Sequence, residues 1–309
     1  MAHYLITGGA GFIGSHLVEW ILQAGHRVTV IDDFSTGTRD NLPAHPELEI
    51  VAQDLLTLTS ERLAGPFAAA VHLAALPSVN DSWAHLAQAH AVNLTGTVRV
   101  IELAQQLRIP RLVYASSASV YGDTDAVPIE EMQRLRPASP YGLQKVSSEE
   151  YGRLFAGKNL SFVALRFFNV FGPRQVAGSP YSGVISRFAH AMRGNQAITI
   201  FGGGEQTRDF VYVKDIAIAL AGALEISGLA PFTVCNLGSG SAVSIRQLVA
   251  TMRGFFPDWT GSVREAPARL GDILRSVADI AAAQRLLSYR PRYSLESGLA
   301  EMLQPENAQ

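Results

Sequence analysis

Short apolar runs alternate with helix-length stretches along the first half of the chain, and this alternation is typical of βαβ units that build a parallel sheet. Helical periodicity predicts helices over residues 12–24, 87–107 and about 140–155. The apolar runs predict strands at residues 4–7, 28–31, 50–52, 69–73, 111–115, 161–167 and 233–237. We therefore expect an α/β fold with a doubly wound parallel sheet.

The pattern changes after residue 171. Segments 172–182 and 202–207 are rich in Gly, Pro and Ser, which marks loops. Residues 244–300 predict shorter helical pieces with several arginines. We expect a sheet domain formed by residues 1–166 and about 209–238. Residues 167–208 and 239–309 are expected to form a smaller C-terminal lobe.

Composition narrows the class of protein. The 309 residues are 48% hydrophobic and 17% charged, which suits a folded chain with a large core. The net charge of −2 gives no basic surface for nucleic acid. Cys235 is the only cysteine, so intrachain disulfides and cysteine metal clusters are excluded, and no metal site is expected. The apolar stretch 216–224 is too short to span a membrane, and the predicted first strand leaves no room for a signal peptide. We expect a soluble, cytoplasmic protein.

A glycine-rich turn joins the first predicted strand to the first predicted helix. Gly8, Gly11 and Gly14 would respectively allow a tight turn, a close approach of the backbone to a pyrophosphate, and close packing of helix on strand. The free N–H groups of the helix N-terminus would then face the phosphates. This combination predicts a Rossmann-type dinucleotide site.

An acidic residue follows the second predicted strand. Asp32 lies 18 residues after Gly14, near the spacing at which a carboxylate meets the adenosine ribose and repels a 2′-phosphate, so NAD is favoured over NADP. Asp54 is placed to bond the adenine amino group, although it could equally cap a helix. The cofactor site is completed by Phe12, Ile13, Asp33, Phe34, Leu55, Leu73, Ala74, Ala75, Asn93 and Phe168, together with Tyr141 and Lys145.

Tyr141 and Lys145 are four residues apart on a predicted helix, so both face the same side. A tyrosine that acts as a base near neutral pH needs its pKa lowered by roughly 3 pH units, or about 4 kcal/mol. A lysine cation and the positive charge of a nicotinamide both favour the phenolate. Taken alone, the spacing could also belong to an exposed helical pair. Ser117, at the end of the fifth predicted strand, would lie in the same crevice and could share the tyrosine's proton.

Together these motifs resemble a known family. The segments 7–14 (TGGAGFIG), 116–122 (SSASVYG) and 141–145 (YGLQK) are similar to extended short-chain dehydrogenase/reductases. The segments 166–175 (RFFNVFGPRQ), 179–188 (SPYSGVISRF) and 207–215 (TRDFVYVKD) resemble the UDP-sugar 4-epimerases of that family, which act on UDP-glucose or UDP-N-acetylglucosamine. The resemblance covers nearly the whole chain.

The resemblance implies a catalytic cycle. Tyr141 would take the proton of the sugar 4-hydroxyl while hydride passes from C4 to NAD, and the 4-keto sugar would turn over and be reduced on its other face. Ser117 would bridge the 4-oxygen and the tyrosine, and Lys145 would hold the nicotinamide ribose. The family also implies a homodimer that pairs the helices around 87–107 and 140–155, with NAD staying bound.

The resemblance also implies a substrate site in the smaller lobe. Asn169 would contact the phosphates or sugar, and the arginines Arg208 and Arg269 would pair with the pyrophosphate, which suits the planar guanidinium. The expected substrate residues are Ser117, Ser119, Tyr141, Asn169, Val184, Phe201, Arg208, Arg269, Asp272 and Ser276.

Three departures from family patterns bear on the substrate and reaction. Dehydratase relatives carry an Asp-Glu pair, and decarboxylase relatives a glutamate, where this chain has Ala118 and Ser119, so elimination lacks its general acid. Glucose-restricted epimerases carry a tyrosine at the position of Ser276, and the smaller serine leaves room for a 2-acetamido group. Pro77 stands where those relatives often have a lysine, which also suggests another substrate subgroup.

Several functions remain open at this stage. The main hypothesis is an NAD-dependent UDP-hexose 4-epimerase, acting on UDP-glucose/UDP-galactose, on UDP-GlcNAc/UDP-GalNAc, or on both. UDP-glucuronate epimerisation remains an alternative, and so does another reductase or dehydratase of the family. A reductase would consume NADPH, against which Asp32 argues. A non-catalytic NAD sensor would not need Tyr141 and Lys145, which are both present.

Overall fold

The computed structural model describes residues 1–175, 183–268 and 273–304. Its strands are β1 (His3–Thr7), β2 (Arg27–Asp32), β3 (Leu48–Ala52), β4 (Ala69–His72), β5 (Arg111–Ser117), β6 (Ser161–Phe167), β7 (Asn169–Phe171), β8 (Ile198–Phe201), β9 (Thr207–Arg208), β10 (Phe210–Tyr212), β11 (Phe232–Leu237), β12 (Val243–Ser244), β13 (Val263–Ala266) and β14 (Arg275–Ser276). Its α-helices are α1 (Phe12–Gln23), α2 (Val79–Ala84), α3 (Leu86–His90), α4 (Gly96–Gln106), α5 (Pro140–Phe155), α6 (Val184–Arg193), α7 (Val213–Glu225), α8 (Ile245–Arg253), α9 (Ala281–Leu287) and α10 (Leu295–Met302).

A seven-stranded parallel sheet forms the centre of the protein, in the order β11-β6-β5-β4-β1-β2-β3. The chain builds outward from β1 to β3, then returns to the other side of β1 with β4 and continues to β11. The strand order therefore reverses between β1 and β4, and ligands bind α/β sheets at the carboxyl ends of strands at such a switch point. This confirms the predicted α/β, Rossmann-type doubly wound sheet.

Both faces of the sheet are covered, which explains why its strands appear in the sequence as continuous apolar runs rather than alternating ones. One face packs against α1, α7 and α9, where Leu17, Leu220 and Ala283 join the strand side chains in one core. The other face packs against α4 through residues such as Val100 and Ile101. Strand β6 is almost entirely buried along its length. The proposed division into two domains stays a prediction.

Short strands beyond the main sheet escaped the sequence analysis. β7 pairs with β10, β8 with β13, and β9 lies between β12 and β14. The segment 244–300, expected to be helical pieces, contains β13 and β14 as well as helices, and residues 233–237 are not the last strand. Strands of two to four residues are too short to show a period of two. These pairs enclose a third core with Phe188, Leu248 and Met252.

The predicted helix over residues 87–107 is not a regular α-helix. Residues Ala91–Thr95 between α3 and α4 form a widened π-turn, and Asn93 sits within it. Its buried side-chain amide bonds the backbone of Leu76 and the Gln144 side chain on α5. Such turns often occur at functional sites. The apolar period continues through the turn, which hides it from a periodicity analysis.

Among the described residues, no helix is long and apolar enough to cross a membrane. The same residues contain no group of three or more His, Cys, Asp or Glu side chains arranged to hold a metal ion. Cys235 is buried and has a free thiol. The cytoplasmic location stays a prediction.

Candidate active site

The glycine-rich turn between β1 and α1 is built so that side chains do not fit. Gly8 has φ +72°, and a Cβ there would lie 2.5 Å from the backbone nitrogen of Ala74. A Cβ on Gly14 would lie 2.2 Å from the carbonyl oxygen of Gly8. Gly11, which donates its N–H to that same carbonyl at 3.2 Å, precedes α1 and has no side chain with which to cap it. The first turn of α1, with Phe12 and Ile13, is thus open to phosphate oxygens, as a dinucleotide requires.

Asp32 at the end of β2 is fixed beside this turn. Its Oδ2 accepts the N–H of Ala10 at 2.9 Å, and its Oδ1 accepts the N–H of Phe34 at 2.9 Å. Burial raises the pKa of the Asp32 carboxyl, and these two hydrogen bonds oppose the rise because they favour the carboxylate. Phe34 has φ +58°. A buried carboxylate next to the phosphate turn is the arrangement expected of a ribose-binding residue.

Asp33 and Asp54, the other two acidic residues predicted to contact the cofactor, form hydrogen bonds within local turns. Asp33 is exposed, and its Oδ1 accepts both the N–H and the hydroxyl of Ser35. Asp54 is also exposed, and its Oδ1 accepts the N–H of Leu56 at 2.9 Å, while the neighbouring Leu55 is buried. The structure thus gives Asp54 a turn-forming role, and its contact with adenine stays a prediction.

A buried histidine on β4, His72, connects β1 to α4. The Thr97 hydroxyl donates to the carbonyl of Asn93, so it accepts from His72 Nε2 at 3.1 Å, and His72 Nδ1 in turn accepts from Thr7 at 2.7 Å. Burial lowers the pKa of His72 to about 3, so the ring is neutral. This chain holds the floor of the crevice, which includes three half-buried residues predicted to line the cofactor site, Leu73, Ala74 and Ala75.

The predicted catalytic residues converge at the ends of β5 and α5. Tyr141 is in the first turn of α5, and its backbone N–H donates to the Ser82 hydroxyl on α2 at 3.1 Å. Ser117 ends β5 and its hydroxyl accepts the N–H of Ser119, and Ser117 is close enough to Tyr141 to lower the pKa of the phenol. Lys145 lies one helical turn further along α5. The three residue types are therefore brought together, as the sequence predicted.

Lys145 is only 4% exposed, and its Nζ donates to the carbonyl of Ala115 at 2.7 Å. The Nζ also lies 4.8 Å from the ring centre of Tyr114 and 5.6 Å from that of Tyr141. Burial lowers the pKa of Lys145 to about 7, with Glu149 opposing the change. The cation is thus held beneath the phenol whose ionisation it can favour.

Burial acts in the opposite sense on Tyr141. It raises the pKa of the phenol to about 12, and the hydrogen bond from Ser117 only partly opposes that rise. A base near neutral pH therefore needs a further positive charge close to the phenol. The positively charged nicotinamide of NAD fits this need, and the turn around Gly8 and Gly14 fits the rest of the dinucleotide.

A cavity of about 460 Å³ is lined by Asn169, the first residue of β7, which lies two residues after Phe167, the partner of Ser117 across β5 and β6. Four predicted substrate residues line it: Asn169, Val184, Phe201 and Arg208. The sequence analysis missed its other lining residues, among them Arg187 and Gln206. Arg187 belongs to the recognised segment 179–188 and Gln206 immediately precedes the segment 207–215, so proximity to these motifs is the signal that could have found them.

A buried carboxylate organises the strands around Arg208. Asp209 is fully buried, and it accepts the N–H and hydroxyl of Ser239 and the N–H groups of Gly240 and Ala278. Arg208 donates to the carbonyl oxygens of Thr207 and Ile273. The sequence analysis did not single out Asp209, although it lies within the motif that carries Arg208.

The remaining predicted residues are placed differently. Ser276 pairs with Arg208 across β14 and β9 and is buried, but it is not among the described residues that line the cavity. The Ser119 hydroxyl is buried, and no described residue forms a hydrogen bond with it. Phe168 is buried at the end of β6, where its N–H donates to Leu237. Arg269 and Asp272 lie outside the described residues.

Comparison with known proteins gives matches in sequence and in fold. The model of the NAD dependent epimerase/dehydratase family matches residues 4–238. A putative UDP-glucose 4-epimerase of Methanocaldococcus jannaschii is 33% identical over 303 residues, which are 97% of this chain and 96% of that protein.

Two solved structures share the fold over almost all of both chains. A UDP-N-acetylglucosamine 4-epimerase from Methanobrevibacter ruminantium M1, in complex with UDP-N-acetylmuramic acid, has a TM-score of 0.92 at 34% identity, covering 98% of this chain and 97% of that one. A UDP-glucuronic acid 4-epimerase from Bacillus cereus, in complex with UDP-glucuronic acid and NAD, has a TM-score of 0.89 at 30% identity, covering 97% of each chain.

Proposed function

Since this chain is an enzyme of the NAD dependent epimerase/dehydratase family and its cofactor is NAD, we propose that it is a UDP-hexose 4-epimerase. The observation that carries the proposal is the convergence of Ser117, Tyr141 and Lys145 at the ends of β5 and α5, in a sheet whose glycine-rich turn suits a dinucleotide. The absence of a carboxylate at Ala118 and Ser119 favours epimerisation over elimination, because elimination needs a general acid.

Each catalytic side chain has a task that its position supports. Tyr141 takes the proton of the sugar 4-hydroxyl and later returns it. Ser117 holds the 4-oxygen beside the phenol, since it is close enough to Tyr141 to lower the pKa of the phenol. Lys145 supplies positive charge under the phenol and donors for a ribose hydroxyl. NAD, which the turn at Gly8 and Gly14 and the Asp32 carboxylate would hold, would supply reversible hydride transfer at C4.

The substrates we propose are UDP-glucose/UDP-galactose, UDP-GlcNAc/UDP-GalNAc, or both pairs. The support for acceptance of the acetamido group is the small Ser276 at the position where glucose-restricted epimerases carry a tyrosine; Ser276 pairs with the cavity residue Arg208 but is not itself among the described residues that line the cavity. One missing contact changes such a preference by only about 1–3 kcal/mol, so the two pairs can overlap. UDP-glucuronate is the second candidate substrate, because the similar Bacillus cereus enzyme binds UDP-glucuronic acid.

The test is an NMR assay with UDP-glucose, UDP-GlcNAc and UDP-glucuronate in separate samples, without added cofactor. We expect one of the hexoses to equilibrate with its C4 epimer, and we expect Tyr141→Phe to abolish this reaction. Tyr151→Phe is the matched control, since Tyr151 lies on the same helix but is exposed, and it should retain activity. Equilibration of UDP-glucuronate alone would select the second candidate. No turnover of any of the three would refute epimerisation.

We also propose that the protein is a homodimer. Helices α2 and α3 pack beside α5, and this region exposes large apolar side chains, with Trp83 at 65%, Leu154 at 59% and Leu86 at 57%. Large exposed apolar side chains on neighbouring helices are the kind of surface that marks an interface. Light scattering at micromolar concentration should give a dimeric mass, and Trp83→Lys should reduce it. A monomeric mass for the wild-type chain would refute the proposal.

A further inference from the structure

A buried ion pair lies behind the catalytic residues. Glu149 on α5 is 2% exposed and Arg166 on β6 is 4% exposed. The guanidinium makes two parallel bonds, from Nη2 to Oε2 at 2.7 Å and from Nε to Oε1 at 2.9 Å. Its Nη1 donates to the hydroxyl of Tyr121 and to the carbonyl of Glu131. Every charge of the pair is therefore satisfied within the protein.

The carboxylate also reaches the strand that carries the catalytic serine. The Ser116 hydroxyl donates to Glu149 Oε1 at 2.5 Å, and Ser116 is the in-register neighbour of Arg166 across β5 and β6. On one side of Ser116 is Ala115, whose carbonyl receives the Lys145 ammonium, and on the other side is Ser117. Glu149 thus ties α5 to the end of β5 at the residue between two catalytic contacts.

Glu149 lies one helical turn after Lys145, on the same face of α5. The titratable groups around the ammonium are His72 on β4, which is neutral, Tyr114 on β5, and Tyr141 and Glu149 on α5. Among these, the carboxylate is the group that favours the protonated lysine, against the effect of burial.

Stability alone does not account for such a pair. Removing two charges from water costs several kcal/mol per ion, and replacing a buried ion pair with apolar residues is often neutral or stabilising. An ion pair retained behind a catalytic lysine therefore points to a role in the reaction.

We propose that Glu149 and Arg166 form a positioning pair for the epimerisation proposed above. Glu149 keeps Lys145 protonated and holds Ser116, and with it Ser117, in place against Tyr141. Arg166 fixes the carboxylate through two bonds, so that its charge stays directed toward the lysine and serine. Neither residue touches the substrate, and this inference rests on the proposed function.

The chain has only three lysines, Lys145, Lys158 and Lys214, so the charge of Lys145 can be measured directly. Protein labelled with ¹³C at lysine Cε gives three signals, of which the Lys145 signal is identified by its loss in Lys145→Met. In Glu149→Gln we expect the Lys145 midpoint to fall by about one pH unit or more, because a nearby negative charge is lost. The midpoints of Lys158 and Lys214 should stay unchanged.

The same variant should alter turnover in a specific way. The rising limb of the kcat–pH profile should move to higher pH, because a less protonated Lys145 favours the phenolate less, while KM for the UDP-sugar should stay within about twofold. If Glu149→Gln does not fold, the double variant Glu149→Gln/Arg166→Met leaves no unpaired charge. It should still lower the Lys145 midpoint, since Glu149 is one helical turn from Lys145 on α5, whereas Arg166 contacts the carboxylate from β6.

Asp215→Asn is the matched control. Asp215 is also a buried carboxylate, but it accepts the N–H groups of Arg292 and Tyr293 instead of contacting the catalytic residues, so the Lys145 midpoint should not change. An unchanged Lys145 midpoint in the Glu149 variants, or an equal fall in Asp215→Asn, would overturn the proposal. A wild-type enzyme that does not epimerise UDP-sugars would refute the proposed function instead. The lysine titration needs no turnover, so it would still test the effect of Glu149 on Lys145.

Discussion

Gly14→Ala is the substitution for which two physical effects predict opposite results. Alanine is favoured over glycine inside a helix by about 1 kcal/mol. At this position, however, the added Cβ would lie 2.2 Å from the Gly8 carbonyl oxygen and 2.8 Å from the Gly9 Cα, and both are backbone atoms that cannot rotate away. Overpacking of a rigid site costs about 1–3 kcal/mol. Because a 2.2 Å approach to rigid backbone belongs at the upper end of that range, the clash should prevail, with a net loss of about 2 kcal/mol.

The same clash should weaken NAD binding. Relief of the contact requires α1 to move away from the turn at Gly8, and the first N–H groups of α1 move with it. A loss of about 1.4 kcal/mol in their contacts with the phosphates lowers affinity tenfold, so we expect at least that decrease.

Urea unfolding followed by circular dichroism, with calorimetry for NAD, measures both effects. Gly96→Ala is the matched control, since Gly96 is also helical but a Cβ there meets Leu55 at 3.7 Å, an ordinary contact. This control should unfold at the same or higher urea concentration and keep its NAD affinity. If Gly14→Ala were as stable as the wild type and bound NAD equally well, the close-packing argument for this turn would be wrong.

Two further predictions concern buried charges. Lys145 has its pKa lowered to about 7 in the folded protein, so its burial costs stability most at and below pH 7, and the cost disappears as the pH rises towards the unfolded value near 10.4. Lys145→Met should therefore raise the free energy of unfolding by a few kcal/mol at pH 7 and by little near pH 10. The control Lys158→Met, at an exposed lysine, should leave the free energy of unfolding unchanged at both pH values. An equal effect of Lys145→Met at the two pH values would contradict the prediction. Asp209→Asn must place an amide NH₂ group against two of the groups that donate hydrogen bonds to the carboxylate. The substitution should therefore lower the free energy of unfolding by about 2–5 kcal/mol and raise KM for the UDP-sugar. The control Asp215→Asn should also lower stability but leave KM unchanged. An unchanged KM in Asp209→Asn would show that Asp209 does not influence substrate binding in the cavity.

The sequence predicted the parts of the fold that depend on long, regular patterns. The seven central strands and the helices α1 and α5 come from apolar runs and periodicity, and these are reliable where both faces of a sheet are buried. The two-residue strands β9, β12 and β14 have no such pattern, because their pairing is determined by contacts between segments far apart in the chain.

The candidate site divides in the same way. Gly8, Asp32, Ser117 and Tyr141 were found because a turn, a strand end or a helical spacing gives each a local signal. Glu149 has no such signal, because its partner Arg166 lies 17 residues away on another element and only the folded sheet brings them together.

The π-turn at Ala91–Thr95 limits how the length of this chain can vary. A one-residue deletion there would restore regular winding, and it would turn the direction of the Asn93 side chain by up to about 100°, the angle between successive residues of an α-helix. Asn93 would then lose Leu76 and Gln144 together. Loops between other elements can gain or lose residues at little cost, whereas homologues that use an asparagine here should keep the same number of residues between it and α4.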